Sequence, residues 1–145
     1  MPVVYRSRVS ILWALIGTIT VTAAAIFGWL VLPEVNRVAF TVPQALTLLL
    51  IILALDAIIL GLAFSSVRAD REGVTIRNGL RKRHYPWSEI SAISYRRSDP
   101  WAHLVPKSIG ETERTRRPMV GIQRVDGDRA VSAVATLRQL LREAA

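Results

Sequence analysis

The chain has 145 residues, of which 51% are hydrophobic and 21% are charged, and its formal net charge at neutral pH is +8. This length allows one small domain with an appendage and excludes a multidomain enzyme, and the apolar content excludes a solvated, disordered chain. Because the sequence contains no cysteine, a disulfide framework, a thiolate metal site and a cysteine nucleophile are also excluded.

Two apolar runs fill the first half of the chain. The first, from Val9 to Leu32, contains no charge, and the second, from Val38 to Val67, contains only Asp56. Since about 20 helical residues cross a hydrocarbon layer of ~30 Å, both runs are long enough to span a membrane. The predicted divisions are a tail at 1–10, transmembrane helices at 11–32 and 43–64 joined by an extracytoplasmic loop at 33–42, and a C-terminal domain at 65–145.

A cleaved signal peptide is the competing interpretation of the first run. Arg6 and Arg8 would form its positively charged start, and Ala23-x-Ala25 resembles a cleavage site. The apolar segment IFGWLVL follows this site, where a polar mature terminus is expected. The pattern therefore favours an uncleaved helical hairpin.

The distribution of Lys and Arg predicts the orientation of this hairpin. Arg6 and Arg8 precede the first run, and the loop contains only Arg37, beside Glu34. Six basic residues follow the second run within a short distance, namely Arg68, Arg71, Arg77, Arg81, Lys82 and Arg83. Since cytoplasmic segments carry the excess of Lys and Arg, we expect a multi-pass protein of the plasma (inner) membrane with both termini in the cytoplasm.

Asp56 is predicted to lie near the middle of the bilayer, about 12 Å along the helix from Phe64. A carboxylate at this depth costs about 2.5–3.5 kcal/mol even on insertion scales, so it needs a role. Thr18 and Thr22 of the first run lie at comparable depth, and hydroxyl groups can join transmembrane helices. The sequence favours a hydrogen bond across the hairpin by a neutral acid. Contact with another membrane protein is the second interpretation, and transport chemistry is the third, because a proton relay needs more than one ionisable group.

The second half is predicted to be a small basic domain of antiparallel strands. Sixteen of the nineteen Lys and Arg residues follow residue 64. Apolar and polar residues alternate through several short segments, and Asn78-Gly79 is typical of a tight hairpin turn. The period then changes, since Ala130, Val134 and Leu137 recur at helical spacing. We therefore expect a half-closed antiparallel sheet covered by an amphipathic helix at about 129–143.

Three motifs in this half resemble the opening of bacterial PH-like domains, most closely the actinobacterial group named after low-molecular-weight protein antigen 6. They are Asp70-x-x-Gly73-Val74, Arg77-Asn78 followed by Gly79, and Pro86-Trp87-Ser88-Glu89-Ile90. The resemblance covers about Val67 to Ala145 and implies a partial β-barrel closed at one end by the final helix. Two preceding membrane spans are usual in that group. The resemblance implies neither catalysis nor a defined ligand. The segment Lys107–Pro118 departs from the pattern, because it is longer and more charged.

Basic residues around the predicted hairpin turn are the main candidate site, with a second group further along the chain. The first group is Arg77, Arg81, Lys82 and Arg83, and the second is Arg114, Arg116 and Arg117. Basic clusters near an inner leaflet attract anionic lipid by about 1 kcal/mol per residue. The functional interpretation is docking on headgroups or on a partner. The alternative is a solvated basic face that only sets the topology.

Catalytic and metal sites are not indicated. His84 and His103 have no clear third ligand, whereas zinc needs three or four. Ser88 beside Glu89 is better explained as a helix N-cap than as a nucleophile, and Trp87 as a core residue. There is no Gly-rich phosphate loop, and few aromatic residues interrupt the basic segments, which disfavours nucleic acid. We expect neither cofactor nor metal.

The sequence thus predicts a non-catalytic module that holds a protein partner at the cytoplasmic leaflet. A sheet edge near Pro86 could accept a strand from that partner. The alternative is a domain that senses or docks on anionic lipid through the basic hairpin. A remote alternative is an accessory subunit of a membrane enzyme or transporter.

Overall fold

A computed structural model describes residues 2–107 and 115–145. After a short strand, β1 (Val3–Tyr5), the chain forms helices α1 (Arg8–Val31), α2 (Glu34–Ala39) and α3 (Val42–Ala63). Helices α1 and α3 pack against each other, and both are long and apolar enough to cross a membrane. The helix α2 was not anticipated, because six residues give too little periodicity to be seen.

Polar caps define where the two apolar helices begin. The Ser7 side chain accepts the backbone N–H of Ser10 at 3.1 Å, so α1 starts three residues before the predicted position. Thr41 and Gln44 form a capping box at the start of α3, with Pro43 in its first turn. Such caps satisfy backbone N–H groups that have no partner inside the helix.

The remaining chain forms two antiparallel sheets and a terminal helix. The first sheet has the order β1-β2-β3-β4, with β2 at Ser66–Ala69, β3 at Gly73–Asn78 and β4 at Arg81–Pro86. The second has the order β5-β6-β7, at Ile90–Ser94, Trp101–Pro106 and Arg117–Gln123, and α4 covers Asp128–Ala144. The predicted fold class, two apolar helices followed by a PH-like β domain with a C-terminal helix, is confirmed.

Strand β1 comes from the segment that the sequence suggested was a simple tail. Val3 pairs with Ala69 and Tyr5 pairs with Val67, in an antiparallel arrangement with β2. Since β1 precedes α1 and β2 follows α3, the first sheet contains chain from both sides of the helical hairpin. The edge of the sheet is therefore completed by residues that lie far away in sequence.

The hydrophobic core lies between the two sheets and α4. It includes buried residues of every layer, among them Val67, Val74, Trp87, Ile90, Leu104, Met119, Ile122, Val134 and Leu137. The two sheets are in backbone contact where β7 crosses β2. A Cβ atom added to Gly121 would lie 2.7 Å from the Ser66 Cα and 2.8 Å from the Val67 nitrogen. Only glycine fits at this crossing.

The residues that carry the family resemblance have structural roles. The Asp70 side chain accepts the backbone N–H groups of Glu72 and Gly73 at 3.1 and 3.2 Å, which closes the turn between β2 and β3. A Cβ on Gly73 would collide with the Tyr85 carbonyl oxygen. Trp87 is buried, and its indole N–H donates to the Asp70 carbonyl at 2.9 Å. This motif therefore joins β2, β3 and the end of β4.

Two local predictions were wrong in detail. The N-cap of the short 3-10 helix Trp87–Glu89 is Pro86, and Ser88 lies inside that helix. Asn78 and Gly79 were predicted to be the central residues of the β3–β4 turn. Asn78 instead pairs with Arg81 in the strand register, so the central residues are Gly79 and Leu80. Gly79 has a φ of +60°, which glycine adopts without strain.

Asn78 instead joins the two sheets. Its Nδ2 donates to the Pro118 carbonyl at 2.7 Å, and its Oδ1 accepts the Val120 N–H at 3.2 Å. An amide side chain supplies both the donor and the acceptor that this position on β7 requires. The Asn-Gly pair that suggested a turn therefore serves two different purposes, one in the turn and one between the sheets.

Candidate functional site

The β3–β4 turn lies against the last turn of α3. The Gly79 N–H donates to the Ser65 Oγ at 3.0 Å, and the buried Ser65 directly follows Phe64, the C-cap of that helix. A Cβ atom on Gly79 would lie 3.6 Å from the Gly61 carbonyl oxygen, which is ordinary van der Waals contact. The position of the hairpin tip is thus fixed relative to the end of the second apolar helix.

The basic residues of this hairpin lie on two faces. The strand register pairs Arg77 with Lys82, and Ile76 with Arg83. Because side chains alternate along a strand, Arg77 and Lys82 share the outer face, whereas Arg81 and Arg83 share the face that carries the buried Ile76. All four basic side chains are exposed. Arg77 is held by its Nε, which donates to the Gly79 carbonyl at 3.2 Å.

Arg117 joins Arg81 and Arg83 from the other sheet. The three residues line an open groove of about 190 Å³ together with Tyr85 and Asn78. The Arg117 Nε is buried and has no hydrogen-bond partner. The structure therefore brings these three predicted basic residues together, while Arg114 lies outside the described residues.

Arg116 does not belong to the exposed basic surface, and its predicted role there is corrected. It is only 6% exposed, and its Nη2 contacts the Asp99 Oδ2 at 2.5 Å and donates to the Ser94 Oγ at 3.0 Å. The same Nη2 lies 3.2 Å from the His103 Nδ1. A guanidinium held in this way by three residues is not available to a lipid headgroup.

Asp99 is the centre of this buried polar group, which no sequence pattern indicated. Its side chain also accepts the backbone N–H of Arg96 at 3.0 Å. The hydrogen bond from Arg116 is the main reason that the pKa of Asp99 lies below its ordinary value. Burial raises this pKa, whereas the Arg96 N–H and the nearby positive charge lower it further. Asp99 is therefore ionised at neutral pH and holds the start of β7 against β5 and β6.

The polar residues between the apolar helices are only partly connected. The Thr22 Oγ1 donates to the Asp56 Oδ2 at 3.0 Å. Thr18, the other predicted partner, makes no such bond, and its Oγ1 and the Asp56 Oδ1 are both buried without a hydrogen-bond partner. The structure thus joins Asp56 to the first helix through Thr22 and not through Thr18.

The two histidines lie apart from each other. His84 Nδ1 is 2.9 Å from the Thr75 Oγ1 on the neighbouring strand, whereas His103 lies beside Asp99 and Arg116. Among residues 2–107 and 115–145 there is no group of three or more His, Cys, Asp or Glu side chains that could hold a metal ion.

Sequence reasoning overlooked Leu80 at the tip of the basic hairpin. This side chain is 97% exposed, although it lies between Gly79 and Arg81 in a turn that needs no apolar residue. The sequence signal that indicates such a residue is an apolar side chain within a tight turn, with Arg77 shortly before it and Arg81 directly after it.

Two antiparallel sheets closed by a C-terminal helix define a PH-like domain. The family model for the bacterial PH domain matches residues 65–140. The chain belongs to this family.

The relatives extend the similarity beyond the domain. Uncharacterized proteins of Mycobacterium bovis and Mycobacterium tuberculosis are 30% identical over 140 residues, which cover 96% of this chain and 88% of each relative. The similarity therefore includes the two apolar helices. No solved structure gives a significant match.

Proposed function

We propose that the protein is a non-catalytic module of the inner membrane, whose PH domain docks on the anionic cytoplasmic leaflet through the β3–β4 hairpin and there holds a protein partner. The observation that carries this proposal is the contact of the hairpin turn with the last turn of α3. It puts the basic residues of the turn at the level where an apolar helix would leave the bilayer.

The pairing of β1 with β2 supports the topology on which this proposal depends. The two strands belong to one sheet, and α1 and α3 lie between them in the chain. If both helices cross the membrane, β1 and the PH domain must be on the same side. The Ser10 Oγ also donates to the Gln123 Oε1, which ties the first turn of α1 to the end of β7. The excess of Lys and Arg around these strands supports the cytoplasm as that side.

The charges of the hairpin support an anionic surface as the ligand. Arg77, Arg81, Lys82 and Arg83 are all exposed, and each basic residue within a Debye length of an anionic leaflet contributes about 1 kcal/mol. Because they lie on both faces of the β3–β4 hairpin, the tip is basic from either side. This arrangement fits a planar layer of headgroups better than a single pocket.

Hydrogen exchange of the full chain in nanodiscs tests the docking. We expect the amides of residues 77–83 to exchange more slowly in discs containing phosphatidylserine than in discs of neutral phosphatidylcholine. The variant R81Q/K82Q removes two charges at about 1 kcal/mol each, so its protection in anionic discs should fall by up to roughly 30-fold.

The matched control is R129Q/R142Q, which removes two exposed charges from α4 and should leave the exchange of the hairpin unchanged. Equal exchange of residues 77–83 in neutral and anionic discs would refute leaflet docking. That result would leave partner binding as the remaining role of the domain.

Partner binding is supported by the edge position of β4. In the part of the chain that the structure describes, β4 pairs only with β3, and its residues 81–84 are exposed. An exposed edge strand can accept a further strand from another protein. The basic side chains along this edge favour an acidic segment as that strand.

A further inference from the structure

Leu80 has an exposure that the fold does not explain. At 97%, it is the most exposed large hydrophobic side chain in the described part of the chain. The turn needs only the positive φ of Gly79, while Leu80 itself has an ordinary negative φ. A polar residue would serve equally well in this turn if water surrounded it. A partner outside the protein would account for this exposure.

The position of the turn indicates what that partner is. Gly79 lies against Gly61, which is two residues before the end of α3, or about 3 Å along the helix axis. Neighbouring apolar side chains of this helix end, Leu62 and Phe64, are also exposed. Leu80 thus lies at the same level as the end of the apolar surface of α3.

The residues around Leu80 favour a lipid surface over a protein pocket. Arg81 and Lys82 follow it directly, and Arg77 is folded onto the turn through its bond to Gly79. An apolar tip surrounded by basic side chains matches the boundary between acyl chains and anionic headgroups, where the apolar group enters and the charges stay at the surface.

We infer that Leu80 inserts into the cytoplasmic leaflet of the same bilayer that α1 and α3 cross, and that it anchors the PH domain there independently of the basic residues. This inference rests on the proposed docking and adds an apolar contact to it. The contribution of Leu80 to membrane binding, unlike that of Arg81 and Lys82, is not screened by salt.

A fluorescent probe at position 80 tests the inference. The chain has no cysteine, so Leu80→Cys in the full chain can be labelled at a single site with an environment-sensitive dye. In phosphatidylserine nanodiscs we expect strong quenching by spin-labelled lipid and weak quenching by aqueous iodide. The matched control is Glu72→Cys at the opposite end of β3, about 20 Å away, where the dye should be quenched by iodide and not by lipid.

An unlabelled pair of variants separates insertion from labelling effects. Leu80→Ser should accelerate amide exchange of residues 77–83 at high salt by roughly tenfold or more. Burial of a leucine side chain in the membrane would slow the release of the hairpin from the leaflet by about this factor. Leu80→Ile keeps the apolar surface and should behave like the wild type.

The outcomes distinguish this inference from the docking itself. If the dye at position 80 is quenched by iodide as strongly as the dye at position 72, while the hairpin is still protected in anionic discs, insertion is refuted and docking by charge remains. If the position 80 dye is open to iodide and the hairpin is unprotected in every disc, both proposals are refuted.

Discussion

Gly121→Ala is expected to unfold the PH domain or to destabilise it severely. The new Cβ would lie 2.7 Å from the Ser66 Cα, 2.8 Å from the Ser66 carbonyl carbon and 2.8 Å from the Val67 nitrogen. All three are backbone atoms, so no side chain can rotate away. Relief requires β2 to move off β7, and this opens the core on both sides, where Val67 and Ile122 are buried. Overpacking that moves backbone costs about 3 kcal/mol or more, out of a total stability of roughly 5–15 kcal/mol.

Thermal unfolding of the full chain in nanodiscs, followed by tryptophan emission, measures this effect. Trp87 in the core is the main reporter. The matched control is Gly17→Ala in α1, where a Cβ atom meets nothing within 4 Å, and its transition should coincide with that of the wild type. Coincidence of the Gly121→Ala transition with the wild-type transition would show that β2 and β7 do not cross as described.

Asp99→Asn is expected to destabilise the domain at neutral pH by about 3 kcal/mol, because it leaves the buried Arg116 guanidinium without its countercharge. The pKa of Asp99 is lowered in the folded state from its ordinary value of 3.8. Its stabilising contribution is therefore complete above that value and is lost as the pH falls through the folded-state pKa. The difference between wild type and variant should be largest near neutral pH and should shrink as the pH falls below 3.8 and through the lowered folded-state pKa of Asp99.

Unfolding midpoints across this pH range check both the size and the sign of the effect. Glu89→Gln, which removes an exposed carboxylate, is the control and should follow the wild-type pH profile. A difference for Asp99→Asn that grew as the pH fell would contradict the assignment of an ionised Asp99 paired with Arg116.

The fold was largely predictable because its signals are local. Apolar and polar residues alternate along β2 and β3, and the apolar residues of α4 recur at helical spacing. Strand β1 has three residues, and its partner β2 lies beyond three helices. No pattern within Val3–Tyr5 could indicate that pairing.

The candidate site was less predictable, because adjacent arginines look alike in a sequence. Arg116 and Arg117 are neighbours, yet one is buried against Asp99 and the other faces the groove with Arg81 and Arg83. Arg116 is buried because it pairs with Asp99, which lies seventeen residues earlier in the chain. Arg117 faces the groove because side chains alternate between the two faces as β7 begins. The β3–β4 turn lies one residue later than predicted for a similar reason, since the Asn78 side chain donates a hydrogen bond to Pro118 of β7.

In the proposed topology, β1 and the PH domain lie together in the cytoplasm and are joined by a hairpin that crosses the membrane twice. Labelling of single cysteines in intact cells with a membrane-impermeant maleimide tests it most directly. Asn36→Cys, exposed on α2, should react from outside, whereas Pro2→Cys and Ala145→Cys should react only after the membrane is permeabilised. Reaction of either terminal cysteine in intact cells, or protection of position 36 until permeabilisation, would contradict the account.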